Sequence, residues 1–184
     1  MKELSLNILD IAENSVRAAA TEIGITITEA AGIRELTIED NGCGMPEEML
    51  RTVTDPFTTS RNTRKVGMGI PLLKLAAEQT GGTFEISSTQ DAASHGTRVH
   101  ALFHTEHIDC VPVGDYASTM TTLLQGNPSI DFRFLYRTED GEKELDTREM
   151  REILGPDVSL DNPSVLMWVS DMLREPFENE QKEL

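Results

Sequence analysis

From Leu4 to Ala20, apolar residues fall at Leu6, Leu9, Ile11, Ala12 and Val16 with polar residues between them. That spacing is close to the 3.6-residue repeat that buries one stripe of a helix. The period then changes: Ile23, Ile25 and Ile27 alternate with polar neighbours over Thr21 to Thr28, Ala31-Gly32 can turn, and Leu36 and Ile38 carry the alternation through Ile33 to Glu39. A pair of strands is predicted there. Pro46 followed by Glu47 and Glu48 suits the first turn of a short helix, whose positive dipole end favours acids. Residues 53–69 show no sustained period. Ile70 to Thr80 is helical again, Gly81-Gly82 ends it, and Thr83 to Ser88 and Gly96 to Phe103 read as two more strands. Further on, the pattern predicts a helix over Asp115 to Leu124 and a hairpin over Ile130 to Leu145 turning at Asp140-Gly141. Helices follow over Thr147 to Leu154 and Ser164 to Arg174, and the last ten residues read as frayed.

Helix, two strands, short helix, irregular stretch, helix and two strands favour an α/β sandwich, a mixed sheet with helices on one face. With 184 residues the chain has room for one main core and a modest extension. A composition change near residue 107 marks the boundary. Beyond it seven Lys and Arg face seventeen Asp and Glu, a net of −10, against nine and fifteen, a net of −6, before it. The expectation is a domain over 1–107 and a small acidic α+β extension over 108–184, facing a partner. Leu123, Leu124, Phe132, Phe134, Leu166, Trp168, Val169 and Leu173 are expected to form a small core in the extension, with Trp168 alternatively an interface anchor.

The formal net charge of −16 argues against a nucleic-acid partner, because that affinity depends on clustered Lys and Arg. No run of eighteen apolar residues and no export signal is seen, so no membrane role is expected. Cys43 and Cys110 fit neither a metal-ligand spacing nor a disulfide framework. A cytoplasmic protein is the expectation.

Candidate chemistry gathers in the first hundred residues. Asp10, Asn14 and Arg17 lie four and three apart on the first helix, which puts a carboxylate, an amide and a guanidinium on one side, where they could hold a metal phosphate. Glu13 and Arg17 could equally form an i,i+4 ion pair on a solvated face. Asp40-Asn41-Gly42-Cys43-Gly44-Met45 follows a predicted strand, so an acidic acceptor stands at the strand end beside glycines that admit a ligand to the backbone. Val66-Gly67-Met68-Gly69 precedes a helix, where free N–H groups favour phosphate. Arg61, Arg64 and Lys65 could reach a phosphate or be solvated, and Lys74 reads as a surface residue. His95, His100, His104 and His107 show no metal-binding spacing, and no P-loop is present.

In this order, with about 26 residues between Asn14, Asp40 and Gly67, the segments resemble the nucleotide domain of the gyrase, heat-shock chaperone, histidine kinase and MutL superfamily. Asp10 to Asn14 resembles its N box, Asp40 to Met45 its first glycine box, Asp55 to Arg61 its phenylalanine box, Gly67 to Gly69 its second glycine box, and Gly96-Thr97 its final Gly-Thr. The resemblance covers residues 1 to about 105. It implies the Bergerat-type fold and the cofactors ATP and Mg²⁺: Asn14 would ligate the metal, Asp40 would accept from the adenine amino group, and Thr97 would support the same edge through water. Gly42, Gly44, Gly67 and Gly69 would let a lid over 46–66 close. Mg²⁺ suits such a site because it keeps waters and needs few protein ligands.

Two departures qualify the match. Most hydrolysing relatives carry Glu where this chain has Asp10, so the general base would be one methylene short and hydrolysis slow. Arg17 stands where MutL has an acid and histidine kinases a phosphate-contacting base. Three function classes follow: a histidine or anti-sigma-type serine kinase acting on another protein, a non-catalytic nucleotide-sensing regulator, or a slow MutL- or gyrase-like ATPase. The whole chain also resembles small stand-alone ATPase-like proteins of anaerobic bacteria, which implies a redox or hydrogenase-associated partner subunit. Every nucleotide element ends by Thr97, so residues 1–107 are expected to suffice for ATP binding.

Overall fold

The computed structural model describes residues 3–55 and 68–177. Among these, six helices and six strands follow the chain: α1 (Leu4–Arg17), β1 (Glu22–Ala30), β2 (Ile33–Asp40), α2 (Glu47–Thr52), α3 (Gly69–Gln79), β3 (Thr83–Thr89), β4 (Gly96–His104), α4 (Tyr116–Gly126), β5 (Asp131–Thr138), β6 (Gly141–Asp146), α5 (Thr147–Leu154) and α6 (Pro163–Arg174). Each element expected from the periodicity is present. Of the last ten residues, expected to fray, 178–184 lie outside the described residues.

Local chemistry explains the ends. α1 stops where Ala19 N–H reaches Val16 O at 3.0 Å and Ala20 N–H reaches Ser15 O at 3.1 Å. These paired bonds close a helix around one left-handed residue, usually glycine. Here it is Ala19, at φ 58°. α3 ends through the same bonds, Gly81 N–H to Glu78 O and Gly82 N–H to Ala77 O, with Gly81 (φ 75°) in the left-handed place. The β1–β2 connection is a two-residue loop, Ala31-Gly32, with positive φ at both positions, as the twist of a hairpin favours.

The sheet runs β3-β4-β2-β1-β5-β6, with β1 and β5 parallel and every other pair antiparallel. Alternation sorts its faces. Ile23, Ile25, Ile27, Leu36, Ile38, Val99, Phe103, Phe132 and Phe134 are buried in one cluster with Leu4, Ile8 and Ile11 of α1, Leu73 of α3, Met120 of α4 and Val169 of α6. The opposite face carries cross-strand ion pairs: Arg98 stands opposite Glu39 at 2.7 Å and Arg137 opposite Glu142 at 2.9 Å.

The residues from 108 onward do not make a core of their own. Leu123, Leu124, Phe132, Phe134, Val169 and Leu173 join the same cluster as Ile25 and Leu73, because β5 pairs with β1 in register from Glu22↔Asp131 to Thr28↔Arg137. Leu166 is half-buried, and Trp168 is 56% exposed and lies outside the core. The strap between β4 and α4 is also tied to the first domain. Leu4 N–H donates to Pro112 O (2.9 Å) and Ser5 N–H to Val113 O (2.8 Å), satisfying donors in the first turn of α1 that no side chain caps. Buried Arg34 donates to Val111 O at 2.6 Å and pairs with Glu29. Among the described residues no helix is long and apolar enough to cross a membrane.

Candidate functional site

A cleft opens between α1 and the ends of β2 and β4. Ile11, Asn14, Ser15, Arg17 and Ala18 form one wall, Ile38, Asp40, Thr97 and Val99 the floor, and Cys43, Gly44, Met45, Met49, Val53 and Ile70 the rest. It encloses about 160 Å³, below the roughly 300–1,000 Å³ common for whole small-ligand pockets. Such a space has room for about one flat ring system, and the α1 residues Asn14 and Arg17 are part of its lining.

Asp40 ends β2, and both of its carboxylate oxygens are held. Gly42 N–H donates to Oδ1 at 2.9 Å and Ser15 Oγ–H to Oδ2 at 2.5 Å. Ser15 also lies 3.4 Å from Ile11 O. Its single proton goes to the nearer, charged acceptor. Thr97 faces Asp40 across the β2–β4 register. Ser88 Oγ lies 2.9 Å from both Gly96 O and Thr97 Oγ1 and accepts from Met45 N–H at 2.8 Å. With the Ser88 proton on the Gly96 carbonyl, Thr97 donates to Ser88 and keeps only lone pairs for the cleft. Carboxylate and hydroxyl therefore present an acceptor edge.

The glycine box is clasped on several sides. Cys43 N–H donates to Ala18 O at 2.8 Å, and the His95 ring donates from Nδ1 to Gly42 O at 2.7 Å, which fixes that tautomer. A side chain at Gly42 would meet Ala18 Cβ and O at 2.9 Å. Gly44 has φ 68° and its Cβ would lie 2.0 Å from Thr89 O, so the backbone admits only glycine there. Close packing thus accounts for both glycines. Asn41 belongs to strand pairing: its Oδ1 accepts from Thr21 and Glu22 N–H at 2.8 and 2.9 Å, and its Nδ2 donates to Thr21 Oγ1.

At the rim, Arg17 donates to Asn14 Oδ1 and to Glu13 Oε2, each at 3.0 Å, so the expected ion pair and the amide–guanidinium pairing coexist. Asn14 Nδ2 is buried and, among the described residues, has no partner. An orphaned polar group on a cleft wall is a feature that a bound ligand would relieve. Asp10 does not line the cleft. Its Cβ packs where α3 begins, 2.7 Å from the place a Gly69 Cβ would occupy. Asn14, Arg17, Asp40, Gly44, Met45 and Thr97 are therefore brought together, Gly42 supports them from behind, and Asp10 and Gly69 form a separate packing contact. Gly67, Arg61, Arg64, Lys65 and the phenylalanine box beyond Asp55 lie outside the described residues, as does the expected lid beyond Asp55. Lys74 lies 3.9 Å from Glu78 on the surface of α3.

Two residues the motifs do not flag are Ser15 and Ser88. Ser15 left a trace, since it sits four residues after Ile11 on the stripe of α1 that periodicity buries, and a polar residue there needs a partner. Ser88 looks like any residue at a strand end.

Residues 2–107 match the family described as histidine kinase-, DNA gyrase B- and HSP90-like ATPases. A putative sensor protein of Shewanella frigidimarina is 30% identical over 106 residues, 55% of this chain and 16% of that one. A probable C4-dicarboxylate sensor kinase of Bacillus subtilis is 33% identical over 90 residues, 48% of this chain and 16% of that one. The chain spans about a sixth of the length of these curated relatives. The fold is also that of the Aquifex aeolicus MutL ATPase domain, solved as a complex with ADP, with a TM-score of 0.53 at 15% identity over 84% of this chain and 69% of that one.

Proposed function

The chain belongs to the histidine kinase-, DNA gyrase B- and HSP90-like ATPase family, and from that premise we propose that it binds Mg²⁺-ATP in the cleft beside α1. It acts on a partner protein, as a phosphotransfer subunit or as a nucleotide-dependent switch in the cytoplasm. The observation that carries this reading is the Asp40 carboxylate, fixed by Ser15 and Gly42 with the acceptor hydroxyl of Thr97 opposite. An adenine amino group supplies the donors that this edge lacks, whereas guanine turns a carbonyl towards it. Ile11, Ile38, Met45 and Val99 offer apolar walls to the faces of the ring. Asn14 and Arg17, at the rim, would meet the phosphates and their metal, which neutralises phosphate charge when bound.

Calorimetry tests the reading. Asp40→Asn removes the negative acceptor, and ATP affinity is expected to fall about 5- to 150-fold, corresponding to about 1–3 kcal/mol for a buried donor left unpaired. GTP should bind more weakly than ATP. Equal binding of the two nucleotides, together with an unchanged Asp40→Asn affinity, would refute the assignment.

The switch alternative draws support from Asp10, which is shorter than the glutamate of hydrolysing relatives and lies off the cleft wall. Incubation with γ-labelled ATP separates the classes: labelled protein indicates a kinase, released phosphate an ATPase, and neither a switch. The resemblance of the whole chain to small ATPase-like proteins makes a redox or hydrogenase-associated subunit the first partner to test.

A further inference from the structure

A second concavity lies in the C-terminal part of the chain, between α5 and α6. Met150, Ile153, Leu154, Val158, Val165 and Trp168 line about 590 Å³ of it. Two of these are apolar side chains left in water, Ile153 at 84% exposure and Trp168 at 56%. Met167, beside Trp168, is 64% exposed. Scattered exposed apolar residues are ordinary, but a concave cluster of them marks a binding surface.

Charge identifies the kind of occupant. Glu149 lies one turn before Ile153 on α5, Asp157 and Asp161 sit in the loop beside Val158 and before α6, and Asp171 lies one turn beyond Trp168. All four are exposed. None has an ion pair among the described residues, whereas the cations nearby are spent elsewhere: Arg148 on Glu22 and Asp146, Arg151 on Asp131, Arg174 on Asp115. The groove is therefore mainly apolar inside, with Asn162 and Ser164 the polar residues of its lining, and the segments that flank it supply an uncompensated acidic rim. A second copy of the chain would bring two such rims together. Residues 178–184 have one apolar side chain, Leu184, among three glutamates and are the wrong chemistry to fill it.

We propose that this groove receives an amphipathic helix of another protein, with aliphatic anchors about one turn apart and Lys or Arg on their flanks. Helix-in-groove recognition buries such anchors, and an acidic rim selects the basic flanks and speeds encounter. The proposal supplies a partner surface for the function above without depending on nucleotide chemistry. Its test uses no ATP, so the two can fail separately.

Trp168 is the sole tryptophan and reports on the groove directly. The probe is a synthetic helical peptide of about 18 residues, long enough to hold helix in water, with Leu at i, i+4 and i+7 and Lys on both flanks. A control peptide carries Glu in place of each Lys. With the full chain, the Lys peptide is expected to shift Trp168 emission to shorter wavelength and to bind at least about tenfold more tightly than the Glu peptide, the difference shrinking in high salt. Ile153→Glu, on a side chain already in water, should keep the fold by circular dichroism and weaken the Lys peptide about tenfold or more. Equal binding of the two peptides, no binding of the Lys peptide, or an unchanged affinity in Ile153→Glu overturns the proposal. So does a concentration-dependent dimer that Ile153→Glu dissociates, or a Trp168 emission that moves when residues 178–184 are removed, since the groove would then belong to this chain itself.

Discussion

Two neighbours, Ser15 and Gly42, hold the Asp40 carboxylate still, and the proposed adenine recognition depends on that. Removing one of them, in Ser15→Ala, leaves Oδ2 without its 2.5 Å donor. A hydrogen bond to a charged group is worth about 1.5–3 kcal/mol, and part of that should appear as a fall in ATP affinity of about tenfold or more, measured by calorimetry. The same substitution should leave the secondary structure intact. A different residue-scale expectation concerns Ala19, whose φ of 58° costs an L-residue about 1–2 kcal/mol. Ala19→Gly removes that cost but gives the unfolded chain more freedom. The net gain should be several tenths to about 1 kcal/mol, read as a rise of about 1–4 °C in thermal midpoint. No rise would mean the Ala19 backbone is unstrained. Individual positions were unevenly legible in the sequence. Asp40 stands at a strand end in a glycine box and declares itself, whereas Asn41, in the same box, is spent on the start of β1. Ser15 acquires its meaning from a carboxylate 25 residues away, a pairing that no local pattern encodes.

α4 packs against both α1 and α6, and its first turn shows how it is held. Asp115 caps it, accepting from Ser118 N–H at 2.9 Å and Ser118 Oγ at 2.8 Å, while Arg174 of α6 donates at 2.8 Å. The Ser118 backbone N–H is the main cause that holds this carboxyl below its ordinary value of 3.8; burial opposes it, and the Ser118 hydroxyl and the Arg174 charge assist it. The folded protein thus binds this proton less tightly than the unfolded chain. The stabilisation is complete above the ordinary value and is lost as pH falls below it. Asp115→Ala should cost about 1 kcal/mol near neutral pH and progressively less in acid. Asp115→Asn should cost less, because it keeps a cap and loses an ion pair that is mostly in water. Chemical denaturation of the three proteins at neutral and acid pH checks the order; equal stability of all three at neutral pH would remove the cap from the account. Elements as such were well forecast by periodicity. Their assembly was not: Phe132, Phe134 and Tyr136 announce a strand with one apolar face, yet nothing in that alternation names β1 as its parallel neighbour, 109 residues earlier. Trp168, open between core and interface anchor on its helical spacing, stands 56% exposed, because that spacing does not tell an inward stripe from an outward one.

The whole molecule is more interdependent than its motifs suggest. A chain ending at residue 107 keeps every recognised nucleotide box, but it loses β5 from the edge of β1, the helices α4 and α6 from the apolar layer, and the Pro112 and Val113 carbonyls from the first turn of α1. An exposed edge beside uncovered isoleucines invites aggregation. The fragment is expected to be poorly folded by circular dichroism and to lack measurable ATP binding, whereas a soluble, folded fragment with native affinity would show that the first 107 residues suffice. The parallel pairing of Glu22 with Asp131 also sets a clock. At a synthesis rate of about 5–20 residues per second, β1 leaves the ribosome about 5–20 s before the strand that will cover it. Every described residue that lines the cleft precedes β5 in the chain, so the cleft's walls are made before the strand that flanks β1 and stand without that neighbour until it arrives.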